Sequence, residues 1–211
     1  MINKKNLDSI NNNIKLLSPE SKLIVVTKNQ SKDDIQTLIN LGYRNFAENR
    51  VQEAKSKYTN LNLPNELSLD LIGPLQTNKV QDALELFDTI QTIDRKKLVD
   101  EIHKNILKKK TIKTKNFFIQ INIGDEPQKS GVNLDNFDNF YNFCLTSNLK
   151  ISGIMCIPPF GQASSKYFQQ MKDITSNYKE LKLSMGMSND YVLALKFNTN
   201  YIRIGSLIFD K

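Results

Sequence analysis

The chain has 211 residues, of which 39% are hydrophobic and 24% charged, and its net charge is +7. This length suits one folded domain, or at most two small ones, and the apolar content excludes a disordered chain. No apolar run reaches the ~18 residues of a membrane-spanning helix, and the start lacks the apolar stretch of a secretory signal. We therefore expect a cytoplasmic protein without a membrane partner. Two cysteines and one histidine are too few for a disulfide framework or an ordinary zinc site, so no metal is expected.

The positive charge by itself does not predict a nucleic-acid-binding protein. Only four of the 29 basic residues are arginines, whose planar guanidinium suits phosphates and base edges. The densest basic run consists of lysines 108, 109, 110, 113 and 115, and we interpret it as a solvated helix end and loop. A nucleic-acid-binding module remains an alternative that rests on charge alone.

Short apolar runs alternate with segments of helical periodicity along the chain. An opening helix is predicted by an apolar face made of Leu7, Ile10, Ile14 and Leu17. Strands are then predicted at 23–28, 45–49, 67–73, 88–94, 116–124, 150–159, 182–188 and 201–209. Runs such as LIVVTK (23–28) are continuously apolar rather than alternating, which is typical of parallel strands buried on both faces.

The alternation of strands and helices indicates a parallel sheet, because parallel strands need crossover connections. Eight such units predict a single (β/α)8 TIM barrel domain over residues 1–211, in which an extra N-terminal helix covers the last gap. A doubly wound open sheet is the alternative. Its dinucleotide-binding form would place a glycine-rich turn after the first strand, and LIVVTKNQS contains no glycine.

Lys28 is the first candidate functional residue, because active sites of such barrels lie where the strands end. It closes a strongly apolar strand, so we expect its aliphatic stem to be desolvated at the barrel mouth. Desolvation favours the neutral form of an amine, and a neutral amine attacks carbonyls to form a Schiff base. The alternative is a lysine that simply emerges into solvent at the end of a strand.

A phosphate site is predicted where the last two strands end. Ser188, Gly205 and Ser206 supply hydroxyls and a small residue that permits close approach, and the loops after strands seven and eight are the usual phosphate site of these barrels. Ordinary turn chemistry of glycine and serine is the alternative. Together with a lysine on the first strand, a phosphate site indicates an aldehyde cofactor that carries a phosphate, which is pyridoxal 5′-phosphate (PLP).

Arg203 precedes this phosphate site by two residues. A guanidinium donates hydrogen bonds and cannot accept them, so facing the pyridine nitrogen of PLP it would keep that nitrogen unprotonated. This weakens the electron sink on which most PLP enzymes depend, since their usual partner for the nitrogen is a carboxylate. A surface arginine in a salt bridge is the alternative.

The chain resembles the pyridoxal phosphate homeostasis proteins (YggS/PROSC type), whose fold is similar to the barrel domain of alanine racemase. The segments that carry the resemblance run from about residue 23 to 209, and they are LIVVTK, FAENRVQEA, LIGPLQTNK, IQTID, IQINIGDEPQKSGV, ISGIMCIPP, LSMGMSND and IRIGSLIF. The resemblance implies a PLP barrel of fold type III with Lys28 as the Schiff-base lysine. It implies a cofactor-binding set made of Lys28, Asn49, Met155, Met187, Ser188, Arg203, Gly205 and Ser206, with the phosphate on Ser188, Gly205 and Ser206 and the pyridine nitrogen on Arg203.

The resemblance also implies a function in PLP supply rather than catalysis. An alanine racemase needs a second domain that supplies a catalytic tyrosine, and a chain of this length has no room for one. We expect a monomer that is not an enzyme, that holds PLP, and that has PLP-dependent apoenzymes as partners. A weak PLP-dependent amino-acid racemase is the alternative. Lys129 is a candidate for a second PLP-reactive lysine. The sequence departs from the family pattern at Arg50 and Pro74, so the resemblance does not predict the detail of the pocket rim there.

Overall fold

The computed structural model describes residues 1–59, 61–108 and 111–209, in which eight parallel strands form a closed barrel. The strands are β1 (Lys22–Val26), β2 (Asn45–Glu48), β3 (Ser68–Leu71), β4 (Thr89–Ile93), β5 (Asn116–Ile121), β6 (Ile151–Cys156), β7 (Lys182–Ser184) and β8 (Tyr201–Ile204). Each strand pairs with the next along the chain, and β8 pairs in parallel with β1. The predicted TIM barrel is therefore confirmed, and the doubly wound alternative is wrong.

A helix precedes β1, and a helix follows each strand as far as β7. The helices are α1 (Lys4–Leu17), α2 (Lys32–Asn40), α3 (Val51–Tyr58), α4 (Val80–Leu86), α5 (Lys96–Leu107), α6 (Phe137–Thr146), α7 (Ser165–Asn177) and α8 (Tyr191–Lys196). The opening helix α1 lies beside α8, where the amide of Asn13 donates to the hydroxyl of Tyr191 at 2.9 Å. An antiparallel bridge joins Ile2 to Phe209 and ties the start of the chain to the segment after β8. The expected role of α1 in covering the gap between β8 and β1 is thus confirmed.

The strands end earlier than the apolar runs that predict them. The run 201–209 contains a strand of four residues, and the run 182–188 contains a strand of three. Apolarity continues past the paired residues because the following segments are also buried, as Met185 and Ile208 show. Sequence patterns report burial rather than hydrogen bonding, and the residues left over form the rim of the barrel at its carboxyl end.

The barrel has an apolar outer layer, and its interior contains polar side chains beside apolar ones. The large core cluster contains the side chains packed between the strands and the helices, such as Phe46, Leu71 and Ile119. The hydroxyl of Ser184 on β7 donates to the amide oxygen of Gln91 on β4 at 2.6 Å. Because β4 and β7 are not neighbours in the barrel, this hydrogen bond crosses its interior.

Two findings concern membrane spans and metal sites within the described residues. No helix there is long and apolar enough to cross a membrane, and no group of histidine, cysteine and acidic side chains there could hold a metal ion. Cys144 and Cys156 are both buried with free thiols. Of the basic run, residues 109 and 110 lie outside the described residues, and Lys113 forms an ion pair with Asp88 at 2.8 Å.

Candidate functional site

The carboxyl ends of all eight strands meet at one rim of the barrel, and Lys28 lies on this rim two residues after β1. The expected desolvation of Lys28 is wrong, because the residue is exposed. Its neighbour Thr27 is buried, and a turn begins there, since the N–H of Gln30 donates to the carbonyl of Thr27 at 3.0 Å. The turn carries Lys28 out of the barrel wall, with Asn29 in the left-handed region at φ 62°.

A buried cluster of charges lies behind this turn. The ammonium of Lys57 donates to the carbonyl of Thr27 at 2.7 Å and to the carboxylate of Glu48 at 3.0 Å. The hydroxyl of Thr27 donates to the same carboxylate oxygen at 2.8 Å. Burial raises the pKa of Glu48, against the hydrogen bonds from Thr27 and Lys57, which lower it. Lys57 thereby fixes the backbone that immediately precedes Lys28.

Glu53 holds the other side of the same turn. Its carboxylate accepts from the backbone N–H of Asn29 at 2.6 Å and from Lys57 at 2.6 Å. Although burial alone would raise the pKa of Glu53, these two donors hold it below its ordinary value. This cluster was not predicted from the sequence. The i, i+4 spacing of Glu53 and Lys57 on α3 is the one signal that could have indicated a pair, whereas nothing in the sequence joins it to Glu48.

The predicted phosphate-binding residues lie together on this rim. The hydroxyl of Ser206 donates to the hydroxyl of Ser188 at 2.9 Å, although the two residues are 18 positions apart. Within the described residues, the backbone N–H groups of Ser188 and Ser206 have no hydrogen-bond acceptor. A Cβ on Gly205 would lie 3.0 Å from the carbonyl oxygen of Val26, so a small residue is needed where the end of β8 approaches β1. This arrangement offers hydroxyls and free N–H donors to an oxyanion.

The loop between β7 and α8 is held by its own contacts. The N–H of Met187 donates to the carboxylate of Asp190 at 2.7 Å, and Asp190 accepts from the hydroxyl of Ser164 at 2.8 Å. Gly186 adopts φ +94°, a conformation that side chains disfavour. Helix α8 begins at Tyr191, directly after its N-cap residue Asp190.

Arg203 lies inside the barrel, and the alternative of a surface arginine in a salt bridge is wrong. Its side chain is among the buried charged groups, with 3% of the residue exposed. The guanidinium donates to the hydroxyl of Ser184 at 2.8 Å and to the carbonyl of Cys156 at 2.8 Å. It forms no ion pair with any described residue. Burial lowers the pKa of Arg203, and the charges of Cys156, Asp190 and Asp70 oppose this effect.

Two further predicted residues, Met155 and Asn49, lie at the carboxyl ends of β6 and β2. Met155 is fully buried and pairs with Ser184 in the β6–β7 register, so both side chains lie on the same side of the sheet. Asn49 is half-buried directly after β2. Among the described residues, the side chains of Lys28 and Asn49 form no hydrogen bond with the other predicted site residues. The departures Arg50 and Pro74 are exposed after β2 and β3.

Lys129, the candidate second lysine, is already engaged in the loop after β5. Its ammonium forms an ion pair with Glu126 and donates to the carbonyl of Pro158 at 3.2 Å. The residue is half-buried rather than exposed, in contrast to Lys28. A reaction at Lys129 would first have to break these contacts.

Comparison with known sequences gives a consistent result over almost the whole chain. Residues 5–210 match the family described as alanine racemase, N-terminal domain. The pyridoxal phosphate homeostasis protein of Aquifex aeolicus is 33% identical over 199 residues, which cover 90% of this chain and 86% of the relative. The protein of the same name from Escherichia coli K12 is 32% identical over 204 residues, covering 91% of this chain and 86% of the relative.

Comparison with solved structures agrees with the result of the sequence comparison. PipY of Synechococcus elongatus PCC7942 without PLP is similar with a TM-score of 0.84 at 30% identity, covering 98% of this chain and 99% of that chain. The same protein with PLP bound is similar with a TM-score of 0.81 at 28% identity, with the same coverage. Alanine racemase from Clostridium difficile 630 has a TM-score of 0.73 at 15% identity, and the match covers 100% of this chain and 58% of that chain. At this low identity the likeness shows the fold alone.

The cluster behind Lys28 gives a stability prediction. Replacing Lys57 with Met leaves the buried Glu48 carboxylate without its cation, so Lys57→Met should lower the free energy of unfolding by about 3–5 kcal/mol. Lys55→Met on the same helix is the matched control. Lys55 pairs with Asp82 on the surface with 60% of its side chain exposed, so its loss should cost about 0–1 kcal/mol. Urea denaturation measures both, and equal losses would contradict a supporting role of the buried cluster.

Proposed function

The chain belongs to the alanine racemase N-terminal domain family and, within it, to the pyridoxal phosphate homeostasis proteins, and we propose on this premise that it binds PLP and helps to maintain its supply. The observation that carries the proposal is the meeting of the Ser188 and Ser206 hydroxyls on the rim that also bears Lys28. PipY with PLP bound, which is similar over 98% of this chain, supports it.

The rim residues fit the phosphate of PLP. Two hydroxyls lie where β7 and β8 end, together with two N–H groups that have no acceptor within the described residues, and Gly205 lies close to Val26 of β1. A phosphate accepts several hydrogen bonds at once, and bonds to a charged acceptor are stronger than those between neutral groups. In the proposal, Ser188, Gly205 and Ser206 bind the phosphate, and Asn49, Met155 and Met187 complete the surroundings of the ring.

Lys28 fits the aldehyde end of the cofactor. Its exposure leaves the amine accessible to a carbonyl from solution, and the Thr27–Lys57–Glu53 contacts hold the turn that carries it. In the proposal Lys28 retains PLP through a Schiff base, the covalent link that an amine forms with an aldehyde. The exposed amine suits reversible capture and release.

Arg203 fits the ring nitrogen in a way that disfavours catalysis. Bound PLP supplies an electron sink, and the strength of that sink depends on a proton at the pyridine nitrogen. A protonated ring nitrogen donates a hydrogen bond, and a guanidinium cannot accept one. Hydrogen bonds to Ser184 and Cys156 hold Arg203 inside the barrel. We therefore propose a non-enzymatic, monomeric, cytoplasmic carrier that forms a single domain over residues 1–211, with PLP-dependent apoenzymes as its partners.

Covalent labelling tests the lysine. After incubation with PLP and reduction with borohydride, the label should be found on the peptide that contains Lys28, and Lys28→Ala should lose that label together with the visible absorption band. Lys129→Ala is the matched control and should keep both, because Lys129 is engaged with Glu126 and Pro158. Undiminished labelling of Lys28→Ala would refute the assignment.

A comparison of pyridoxal with PLP tests the phosphate site. Charge-assisted hydrogen bonds contribute about 1.5–3 kcal/mol each, so removing the phosphate should weaken binding by several powers of ten. The double variant Ser188→Ala and Ser206→Ala should reduce the preference for PLP, whereas Ser164→Ala, which removes a hydroxyl bound to Asp190 instead, should preserve it. Spectroscopic titration gives the dissociation constants, and equal affinities for the two ligands would remove the phosphate site.

Turnover separates a carrier from a weak racemase. A carrier with an unprotonated ring nitrogen should exchange the α-proton of alanine far more slowly than the ~1–10³ per second of ordinary enzymes. Proton–deuterium exchange followed by NMR measures this on the PLP-loaded protein. Exchange or racemisation of alanine within that range would overturn the carrier and establish the racemase.

A further inference from the structure

A polar cavity of about 210 Å³ opens at the amino ends of the strands, at the opposite end of the barrel from Lys28. Lys22, Asn116 and Lys182, the first residues of three strands, lie at its walls. Asp70 on β3 also lines it, and only 6% of this residue is exposed. A nearly buried carboxyl group therefore lies where the barrel interior opens to this cavity.

A continuous chain of hydrogen bonds, the interior file, connects Asp70 to Arg203 through the barrel interior. The amide of Gln91 donates to the carboxylate of Asp70 at 2.7 Å. The amide oxygen of Gln91 accepts from the hydroxyl of Ser184 at 2.6 Å, and the oxygen of Ser184 accepts from the guanidinium of Arg203 at 2.8 Å. The four side chains come from β3, β4, β7 and β8, and all four are buried.

The donors in this file all point the same way. Arg203 can only donate, so Ser184 uses an oxygen lone pair toward it and its single proton toward Gln91. Gln91 then presents its NH2 group to Asp70. The file thus runs from a buried cation to a carboxyl group that accepts, and it joins Arg203 to an opposite charge that it does not touch.

We propose that Asp70, Gln91 and Ser184 are positioning residues, which hold the guanidinium of Arg203 toward the ring nitrogen of bound PLP and make it sensitive to proton binding at the opposite end of the barrel. The part of this proposal that concerns PLP rests on the proposed function. The part that concerns Arg203 itself can be tested on the protein without PLP.

Charged and titratable groups surround Asp70 from several elements. They are Lys22 from β1, Asp88 from the segment before β4, Lys182 from β7, and Tyr201 and Arg203 from β8. Asp88 is itself paired with Lys113 at 2.8 Å. Burial raises the pKa of Asp70 to about 7, the hydrogen bonds from Gln91 and Ser68 lower it, and Asp88 adds to the rise.

The direction of the pH effect follows from this elevated pKa. The folded protein holds the proton of Asp70 more tightly than the unfolded chain, so this contribution to stability is complete below about pH 4 and is lost as the pH rises through about 7. Over the same range the file gains a carboxylate at its end. The positive charge of Arg203 is then better compensated at high pH than at low pH.

Side-chain NMR of the arginines tests the coupling without PLP. The chain has four arginines, so the Nε–Hε signals can be assigned by single substitutions of Arg44, Arg50 and Arg95. The signal of Arg203 should shift with a midpoint near pH 7, and Asp70→Asn should abolish the shift. Gln91→Leu and Ser184→Ala should reduce it, since each cuts the file and leaves only the through-space effect of the Asp70 charge, whereas Asn116→Ala, in the same cavity but outside the file, should keep it in full.

PLP binding tests the positioning. Removing a hydrogen bond to a charged group should weaken PLP affinity about tenfold in Gln91→Leu and in Ser184→Ala. Ser184→Thr keeps the hydroxyl and should restore affinity, and Asn116→Ala should match the parent. Ser184→Ala removes a single oxygen atom, so it serves where Gln91→Leu does not fold.

The outcomes are distinct. An Arg203 signal that titrates in Gln91→Leu and Ser184→Ala as it does in the parent overturns the file. Parental PLP affinity in those two variants overturns the positioning of Arg203 toward the ring. A parent protein that takes up no PLP overturns the proposed function, and the NMR titration still decides whether the file controls Arg203.

Discussion

The closure of eight parallel strands into one barrel is the constraint on which the rest of the structure depends. Parallel strands place all their carboxyl ends at one rim, so residues far apart in the chain become neighbours without any local motif. Ser188 and Ser206 share a hydrogen bond for this reason. The same closure brings β8 against β1, and Gly205 is the residue that permits the approach beside Val26.

Closure also creates an interior that has to be filled, and here it contains a charge. A buried cation without a partner is costly, and Arg203 forms no ion pair with the described residues. Hydrogen bonds to Ser184 and Cys156 engage two of its donors, and Ser184 and Gln91 link it to Asp70. These four side chains therefore form one connected network, which lets its members orient one another.

The sequence predicts the barrel well because the evidence for it is repeated along the chain. Several strands are clear apolar runs, and the segments after β1 to β7 have helical periodicity, so errors in the bounds of single elements do not change the topology. The rim residues are predictable for the same reason, since they follow the strands. Lys28 shows the limit of this reasoning, because an apolar strand before a lysine does not decide whether the lysine stays desolvated or leaves through a turn.

The interior file could not be predicted in this way. A single Gln91 or Ser184 within a strand gives the same sequence pattern whether it faces the interior or the helices. Its partner depends on the register of strands that are not adjacent in the barrel. The Glu48–Lys57 pair has the same origin, because a strand residue and a helix residue meet only after the helix packs on the barrel. Long-range polar contacts are fixed by tertiary packing, and local periodicity does not encode them.

The two ends of the proposed cofactor site differ in solvent exposure, and this difference agrees with a carrier. Lys28 is exposed on a turn that Lys57 and Glu53 hold, so an aldehyde can reach the amine and leave it without a change in the barrel. Arg203 is buried and bound on two sides, so the ring end of the site is fixed in advance. A fixed donor at the ring reduces the ordering that binding requires, which raises affinity. Because a guanidinium cannot accept a proton, the proposed arrangement would gain affinity and lose the electron sink that a PLP enzyme needs.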